Sequence, residues 1–414
     1  MPKWDVEMKD VCDIAIVGAG PYGISLAAHL SAAGVDFRIF GKPLDTWRDH
    51  MPRGMSLKSD GFASSLSAPV KNSTLKAYCA ERAIPYADRS LPVPLGVFVD
   101  YSAWFQARFA PMLEDRTIVS LEQSTMGFRL TLDDGEICHA RQIVLAVGIT
   151  WFKHLPALLS ALPRQAVSHS YDHHDVSGFK NREVIVLGAG ASAIDLAAAL
   201  DEAGAKVRIV SRAPSILFHD APDAAGTSLL RQLKHPSSGI GPGWHSFIYA
   251  NAPLLFHLLP EYKRLSIVKR HLGPAPGWFM RQRVEERIPV MTSHEISGAR
   301  LEEGKVALDV VGSGGTAKTL HADHVIAATG YRPDLGKLPF LTDALRAEID
   351  TVENTPVLTD MFESSLPGLY FIGPAAASSF GPLMRFMVGA QFVAPRLASP
   401  LKRKMGASPA VRAA

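Results

Sequence analysis

The sequence predicts an α/β fold with two dinucleotide-binding, Rossmann-like units. Three observations carry that reading. Residues 18–40 read GAGPYGISLAAHLSAAGVDFRIF and residues 188–210 read GAGASAIDLAAALDEAGAKVRIV, and without a gap they agree at 12 of 23 positions. Each window follows a short apolar run (Ile14–Val17, Val184–Leu187) and closes on another. That is the strand, glycine turn, helix, strand order of a βαβ unit. Each unit is followed later by an apolar run that ends on glycine, at 142–148 and at 325–330.

The spacing of the glycines has a physical reason. Gly18 supplies a backbone conformation that other residues resist. Gly20 leaves room for a pyrophosphate to approach the main chain, and Gly23 lets the helix pack close to the strand. The helix N-terminus then presents unpaired N–H groups and a partial positive charge. The second unit carries Gly188 and Gly190, followed by Ala191, Ser192 and Ala193, the last a permitted variant at the third glycine place. Two ordinary βαβ turns are the competing reading. The shared strand-to-helix context and the matching later glycines, Gly34 and Gly204, weigh against it.

A chain of 414 residues is long for one core, so two domains are expected. With 47% apolar and 20% charged residues it reads as a globular protein. A formal charge of +3 is too small to argue for nucleic acid. Lys402, Arg403 and Lys404 read as part of a solvated tail. The three cysteines, Cys12, Cys79 and Cys138, are far apart in sequence and form no CxxC pair. They read as buried, inert thiols of a cytoplasmic protein, which weighs against electron transfer to a disulfide. The opening MPKWDVEMKD lacks the apolar core of a secretory signal, and no apolar run reaches transmembrane length.

Between the units, Val119–Gln123, Phe128–Leu132 and Glu136–Ala140 read as strands, with Asp133, Asp134 and Gly135 as a hairpin turn. Gly368–Gly373 reads as a further buried strand and Pro382–Leu397 as a helix with proline in its first turn. Residues 218–290 are irregular. An insertion packed on the second domain, a lid or substrate wall, and a membrane-facing surface are the three readings, with insertion plus partial substrate contact preferred.

At this point the chain resembles the NADPH-dependent, FAD-containing single-component (class B) flavoprotein monooxygenases, in particular the flavin-containing monooxygenases and amine N-hydroxylases. GAGPYGISLAAHL is similar to their flavin-binding fingerprint. Thr46-Trp47-Arg48 with Gly54, Leu57 and Ser59 is similar to the segment that lies along the flavin. Ala328-Thr329-Gly330-Tyr331 resembles their ATGY motif, and Gly368–Gly373 their late flavin-side strand. The resemblance implies a discontinuous FAD-binding domain, 1–150 plus 331–414, with a linker and NADPH-binding domain, 151–330, inserted into it. It implies FAD contacts from Gly18, Gly20, Pro21, Tyr22, Gly23, Trp47, Val119, Gly373 and Met384. NADPH contacts would come from Gly188, Gly190, Ala191, Ser192, Ser211 and Arg212.

Two departures sharpen the expectation. The carboxylate that often ends the second strand and binds ribose is replaced by Gly41 in the first unit and Ser211 in the second. Lys42 or Asp45 could serve the first ribose. At the second, the missing negative charge beside Arg212 favours the 2′-phosphate of NADPH. The linker motif FxGxxxH is also altered: His169 is in place, but Pro163 and Gln165 hold the Phe and Gly positions. This weakens a Baeyer–Villiger reading. His169, His173 and His174 read as linker residues, and no metal is expected.

The resemblance implies a monooxygenase using NADPH and O2 through a C4a-hydroperoxyflavin, acting on a small molecule at nitrogen or sulfur. It implies that water exclusion matters more than any acid or base, and no residue is assigned a catalytic role. Two alternatives stand: an FAD-dependent NAD(P)H reductase without oxygenation, and a non-catalytic nucleotide-binding sensor.

Overall fold

The structure is a computed structural model that describes residues 11–220, 234–271 and 273–406. The apolar run Val11–Val17 lies at the centre of the first sheet, which is why it has almost no polar positions. Phe37–Phe40 pairs with it in parallel, and Leu113–Glu114 adds beyond Phe37–Phe40. On its other side runs Ile137–Leu145, also parallel. Helix Pro21–Ala32 crosses between the first two strands and buries Ile24, Leu26, Ala27 and Leu30 in the same core.

Ile137–Leu145 is one nine-residue strand where the sequence suggests two. Its first half pairs antiparallel with Gly127–Leu132, which in turn pairs with Ile118–Ser124. The turn between Leu132 and Ile137 uses Gly135 at φ +90°. Its second half pairs in parallel with Leu369–Phe371, in the register Leu369 to Ile143 and Phe371 to Leu145. Both partners can coexist because they occupy successive stretches of one edge. The late section of the chain therefore returns to the first sheet.

The second sheet repeats the order. Five parallel strands run Val290–Met291, Lys206–Val210, Glu183–Leu187, His324–Ala327 and Val167–His169. Helix Ala191–Glu202 makes the crossover. A three-stranded antiparallel sheet (His294–Glu302, Lys305–Gly312, Ala317–Ala322) packs Val306, Leu308 and Val310 against Val167, Ile185 and Val325. Two Rossmann-like units result, the second inserted between parts of the first.

Three expectations change. The irregular stretch does not pack on the second unit alone. Ile240, Phe256 and Val268 enter the core of the first, whereas Met280, Val284 and Ile288 enter the second. Gly381 makes room for Phe256: a side chain there would press at 3.0 Å on its ring. His257 stacks on Phe380 at 4.9 Å beside it.

Pro382–Leu397 is not one helix. Pro382–Arg385 and Met387–Gly389 are single 3₁₀ turns separated by Phe386 in an extended conformation (φ −114°, ψ 144°), and the α-helix starts at Ala390. Tyr22 explains the break. Its hydroxyl lies within hydrogen-bond distance of the carbonyls of Leu383, Met384 and Phe386, 2.8–3.3 Å. The Leu383 and Phe386 carbonyls also accept from the N–H groups of Phe386 and Gly389 at 3.0 Å, so each closes one 3₁₀ turn beside the Tyr22 hydroxyl.

The cysteines are not all remote from each other in space. Neighbouring strands bring Cys12 and Cys138 to 3.9 Å between sulfurs, both free and buried.

Candidate functional site

The two glycine turns are built alike. Gly18 sits at φ +117°, where a Cβ would collide with the carbonyl of Ala146. A Cβ on Gly23 would overlap the Gly18 carbonyl oxygen. Gly20 differs: it caps helix Pro21–Ala32, and a Cβ there would meet nothing within 4 Å. Gly188 repeats the first constraint at φ +137° against Ala328, and Gly190 is open like Gly20. Neither helix has a side-chain cap or an acidic residue in its first turn. Each turn thus presents backbone N–H groups to a cradle that even a methyl group at Gly20 or Gly190 would begin to fill. This fits a pyrophosphate at both places.

At the end of the second unit's crossover, Ser211 is buried and its Oγ accepts from the backbone N–H of Ala213 at 3.1 Å. Arg212 next to it is exposed and pairs with no carboxylate among the described residues. In the first unit, Gly41 at φ +138° has its Cβ position 2.9 Å from the Ala19 nitrogen, so a side chain is excluded where a carboxylate is usual. Asp45 faces His50 at 3.3 Å and the Tyr171 hydroxyl at 3.4 Å. Lys42 is exposed.

Tyr22 gathers several of the expected residues. Besides its bonds to the carbonyls near Met384, its ring lies 3.4 Å from where a Gly373 Cβ would be. Gly373 at φ +75° thus lets the late strand's end close on the first helix. Trp47, on the short helix Asp45–Asp49, meets the edge of buried Phe98 at 5.0 Å. Pro21 occupies the first helical position. Val119 is the exception. It lies on the outer strand of the meander, at an irregularity in the pairing of Ile118 and Ser120, and is 50% exposed. Two strands separate it from the glycine turn's own strand; Leu113–Glu114 flanks Phe40 instead.

A cleft of about 870 Å³, open to solvent, lies between the units. The first unit contributes Trp47, Met55, Leu57 and Lys58, and the second Ala191, Ser192 and Asp195. Tyr331 and Arg385 complete the wall, with Gly239 and Pro274 from the irregular stretch.

Lys58 and Asp195 are the residues that motif reading missed. Their side chains are each 5% exposed and form an ion pair at 2.7 Å. Lys58 Nζ also donates to the Ser56 carbonyl at 2.7 Å and stands 5.3 Å from the Phe279 ring centroid. Asp195 Oδ1 has no hydrogen-bond partner. Burial pushes the Asp195 carboxyl upward despite Lys58, because removing both charges from water costs more than their attraction returns. A charged residue in an apolar stretch following a dinucleotide turn, Asp195 in AIDLAAAL, was the available signal.

The linker histidines are each tied differently. His169 Nδ1 accepts from the Tyr171 N–H at 3.1 Å, so its Nε2 carries the proton and donates to the Gly330 carbonyl at 3.1 Å. Burial holds its pKa down at about 4. This clamps the linker to the glycine preceding Tyr331. His173 bonds Ser168 Oγ at 2.6 Å, which also meets His324 at 2.7 Å. His174 bonds the Met51 carbonyl.

Comparison with known proteins agrees with this geometry. The ornithine N-hydroxylase of Kutzneria sp. 744, solved with reduced FAD, NADP⁺ and L-ornithine, superposes with a TM-score of 0.75 at 16% identity, covering 95% of this chain and 100% of that one. The fold is therefore shared. The FAD-dependent urate hydroxylase of Xanthomonas campestris pv. campestris is 29% identical over 218 residues, 49% of this chain and 45% of that protein. The ferredoxin–NADP reductase of Gluconacetobacter diazotrophicus is 24% identical over 271 residues, 64% and 62% of the two chains. The chain spans about half the length of the curated relatives it matches. No helix among the described residues is long and apolar enough to cross a membrane. Residues 15–224 match the family model for pyridine nucleotide-disulphide oxidoreductases, and the chain belongs to that family.

Proposed function

We propose that the chain is an FAD- and NADPH-dependent monooxygenase that oxygenates a small molecule at nitrogen or sulfur. One observation carries this reading: of two uncapped, glycine-opened helix N-termini, the second (Ala191, Ser192) lines a cleft whose opposite wall is Trp47, Met55 and Leu57 of the first unit. A hydride donor and a hydride acceptor can meet there. Gly18, Gly20, Pro21 and Gly23 would hold the FAD pyrophosphate. Tyr22, Trp47, Gly373 and Met384 would frame the cofactor. Gly188, Gly190, Ala191 and Ser192 would hold the NADPH pyrophosphate, with Ser211 and Arg212 at its 2′-phosphate. When bound, the flavin supplies hydride acceptance and oxygen activation.

The chain's own residues bind, orient and exclude water. Met55, Leu57, Phe386 and Met387 give the cleft an apolar lining, which would disfavour water beside a bound flavin. Tyr331 keeps its phenol protonated, because burial pushes its pKa upward. Buried free cysteines support a reducing, cytoplasmic setting.

The test is NADPH oxidation coupled to oxygen uptake, screened across amines, sulfides and ketones. Oxygenated product in proportion to NADPH supports the reading. Stoichiometric peroxide, whatever compound is supplied, would sink oxygenation and favour the reductase reading, which the match to a ferredoxin–NADP reductase keeps open. Protein that binds no FAD would favour a sensor.

A further inference from the structure

We infer that Arg385 is a carboxylate anchor, and that the substrate is an apolar molecule bearing a carboxylate. This deepens the proposed function and rests on it for the reaction, though not for binding. Arg385 stands in the wall of the cleft. Its Nη1 donates to the carbonyls of Val268 at 2.9 Å and His271 at 2.8 Å, using both of that nitrogen's hydrogens. Those carbonyls lie at the end of helix Glu261–Arg270, so one side of the guanidinium is fixed against a helix C-terminus.

The other edge is free. Nε and Nη2 have no hydrogen-bond partner among the described residues, and neither is sealed from the cleft. Together they form the side-on fork that matches the two oxygens of a carboxylate. Among the described residues no acidic group faces Arg385: burial alone acts on its ionisation, downward. A half-buried guanidinium without a counter-charge carries a desolvation cost, and a ligand anion offsets it.

The rest of the cleft agrees. Asp195 is the one carboxylate among the described lining residues, and Lys58 already neutralises it. A cationic group therefore finds no free partner, whereas an anion finds Arg385. Next to Arg385 in sequence, Phe386, Met387 and Val388 line the same cleft, with Met55 and Leu57 also on its wall. These suit the hydrocarbon body of an aryl or alkyl acid.

The test uses the full chain with FAD and three probes of one shape: 3-phenylpropionate, 3-phenylpropionamide and 3-phenylpropylamine. Binding is measured by calorimetry and by the change in flavin absorbance at constant ionic strength. The acid is expected to bind at least tenfold tighter than the amide (about 1.4 kcal/mol), and the amine no better than the amide. Arg385→Gln is expected to erase the preference while changing amide binding less than twofold. Arg385→Lys, which keeps the charge, is expected to retain part of it. Equal affinity for acid and amide in the wild type overturns the inference, as does a preference that survives Arg385→Gln. NADPH oxidation is followed in the same samples. Acid-selective binding by protein that oxidises no NADPH with any amine, sulfide or ketone supplied would sink the redox reading and leave the anchor standing.

Discussion

Lys58 and Asp195 bridge the two nucleotide units by a buried ion pair at 2.7 Å in the wall of the cleft they share. The pair joins the loop after the first crossover to the second glycine turn's helix. It is the buried ionic contact between the two units, whereas Arg53 and Asp175 pair across them at 3.6 Å in exposed positions.

Breaking the pair from one side should cost more than removing it. Lys58→Met leaves the Asp195 carboxyl buried with neither oxygen partnered, and is expected to destabilise by about 3–5 kcal/mol at neutral pH. Asp195→Asn leaves Lys58 its Ser56 carbonyl and the Phe279 ring, so a smaller loss of about 1–3 kcal/mol is expected. The double change Lys58→Met with Asp195→Leu should recover most of the loss. Urea unfolding of the four proteins measures this. A double variant as weak as Lys58→Met would show that the pair does not act as a unit.

The open and the filled glycines separate binding from folding. Gly20→Ala meets no neighbour within 4 Å at a φ of −86°, so its stability should stay within about 1 kcal/mol of wild type. Its methyl group would intrude on the pyrophosphate, and FAD content on purification should fall sharply. Gly23→Ala overlaps the Gly18 carbonyl and should lower the unfolding midpoint even without FAD. Loss of stability in Gly20→Ala with FAD fully retained would contradict the cradle.

Local chemistry was legible in the sequence and tertiary pairing was not. The glycine turns, the Gly135 hairpin and the strand returning through Leu369–Phe371 are each specified by a few adjacent residues, and such signals survive in isolation. Lys58 and Asp195 carry no shared period, and only the approach of two units makes them neighbours. Pro382–Leu397 has helical patterning, but the Tyr22 hydroxyl, far away in sequence, competes for its carbonyls. The irregular stretch divides between two cores, with Gly381 making room for Phe256, and no pattern within 218–290 records that. Val119 matches the family by position alone, and the meander carries it to the outer edge. Residues 221–233 of that stretch lie outside the described residues.

Arg212 gives a test of nucleotide choice. It is exposed and without a carboxylate partner among the described residues, so its removal should cost little stability. Arg212→Ala is expected to weaken NADPH binding by about 1–3 kcal/mol and to leave NADH nearly unchanged. Steady-state KM values for the two nucleotides report this. An equal loss for both would remove the phosphate role from Arg212.

The linker clamp predicts an acid-sensitive fold. His169 and His173 have folded pKa values of about 4, lowered from 6.5 mainly by burial. With the folded value below the unfolded one, the unfolded chain binds more protons between pH 6.5 and 4. Stability is therefore fully present above pH 6.5 and falls as the pH drops toward 4, by up to about 3 kcal/mol for each histidine. Asp195 and Asp60 act in the opposite direction, since burial raises their pKa values, so a difference between variants is the cleaner reading. His169→Gln can still donate toward Gly330 but cannot titrate. It should flatten the dependence of unfolding free energy on pH in that window by close to one proton, measured from urea midpoints at pH 7, 6 and 5. If its slope matched wild type, His169 would not be the neutral clamp that its bonds to Tyr171 and Gly330 describe.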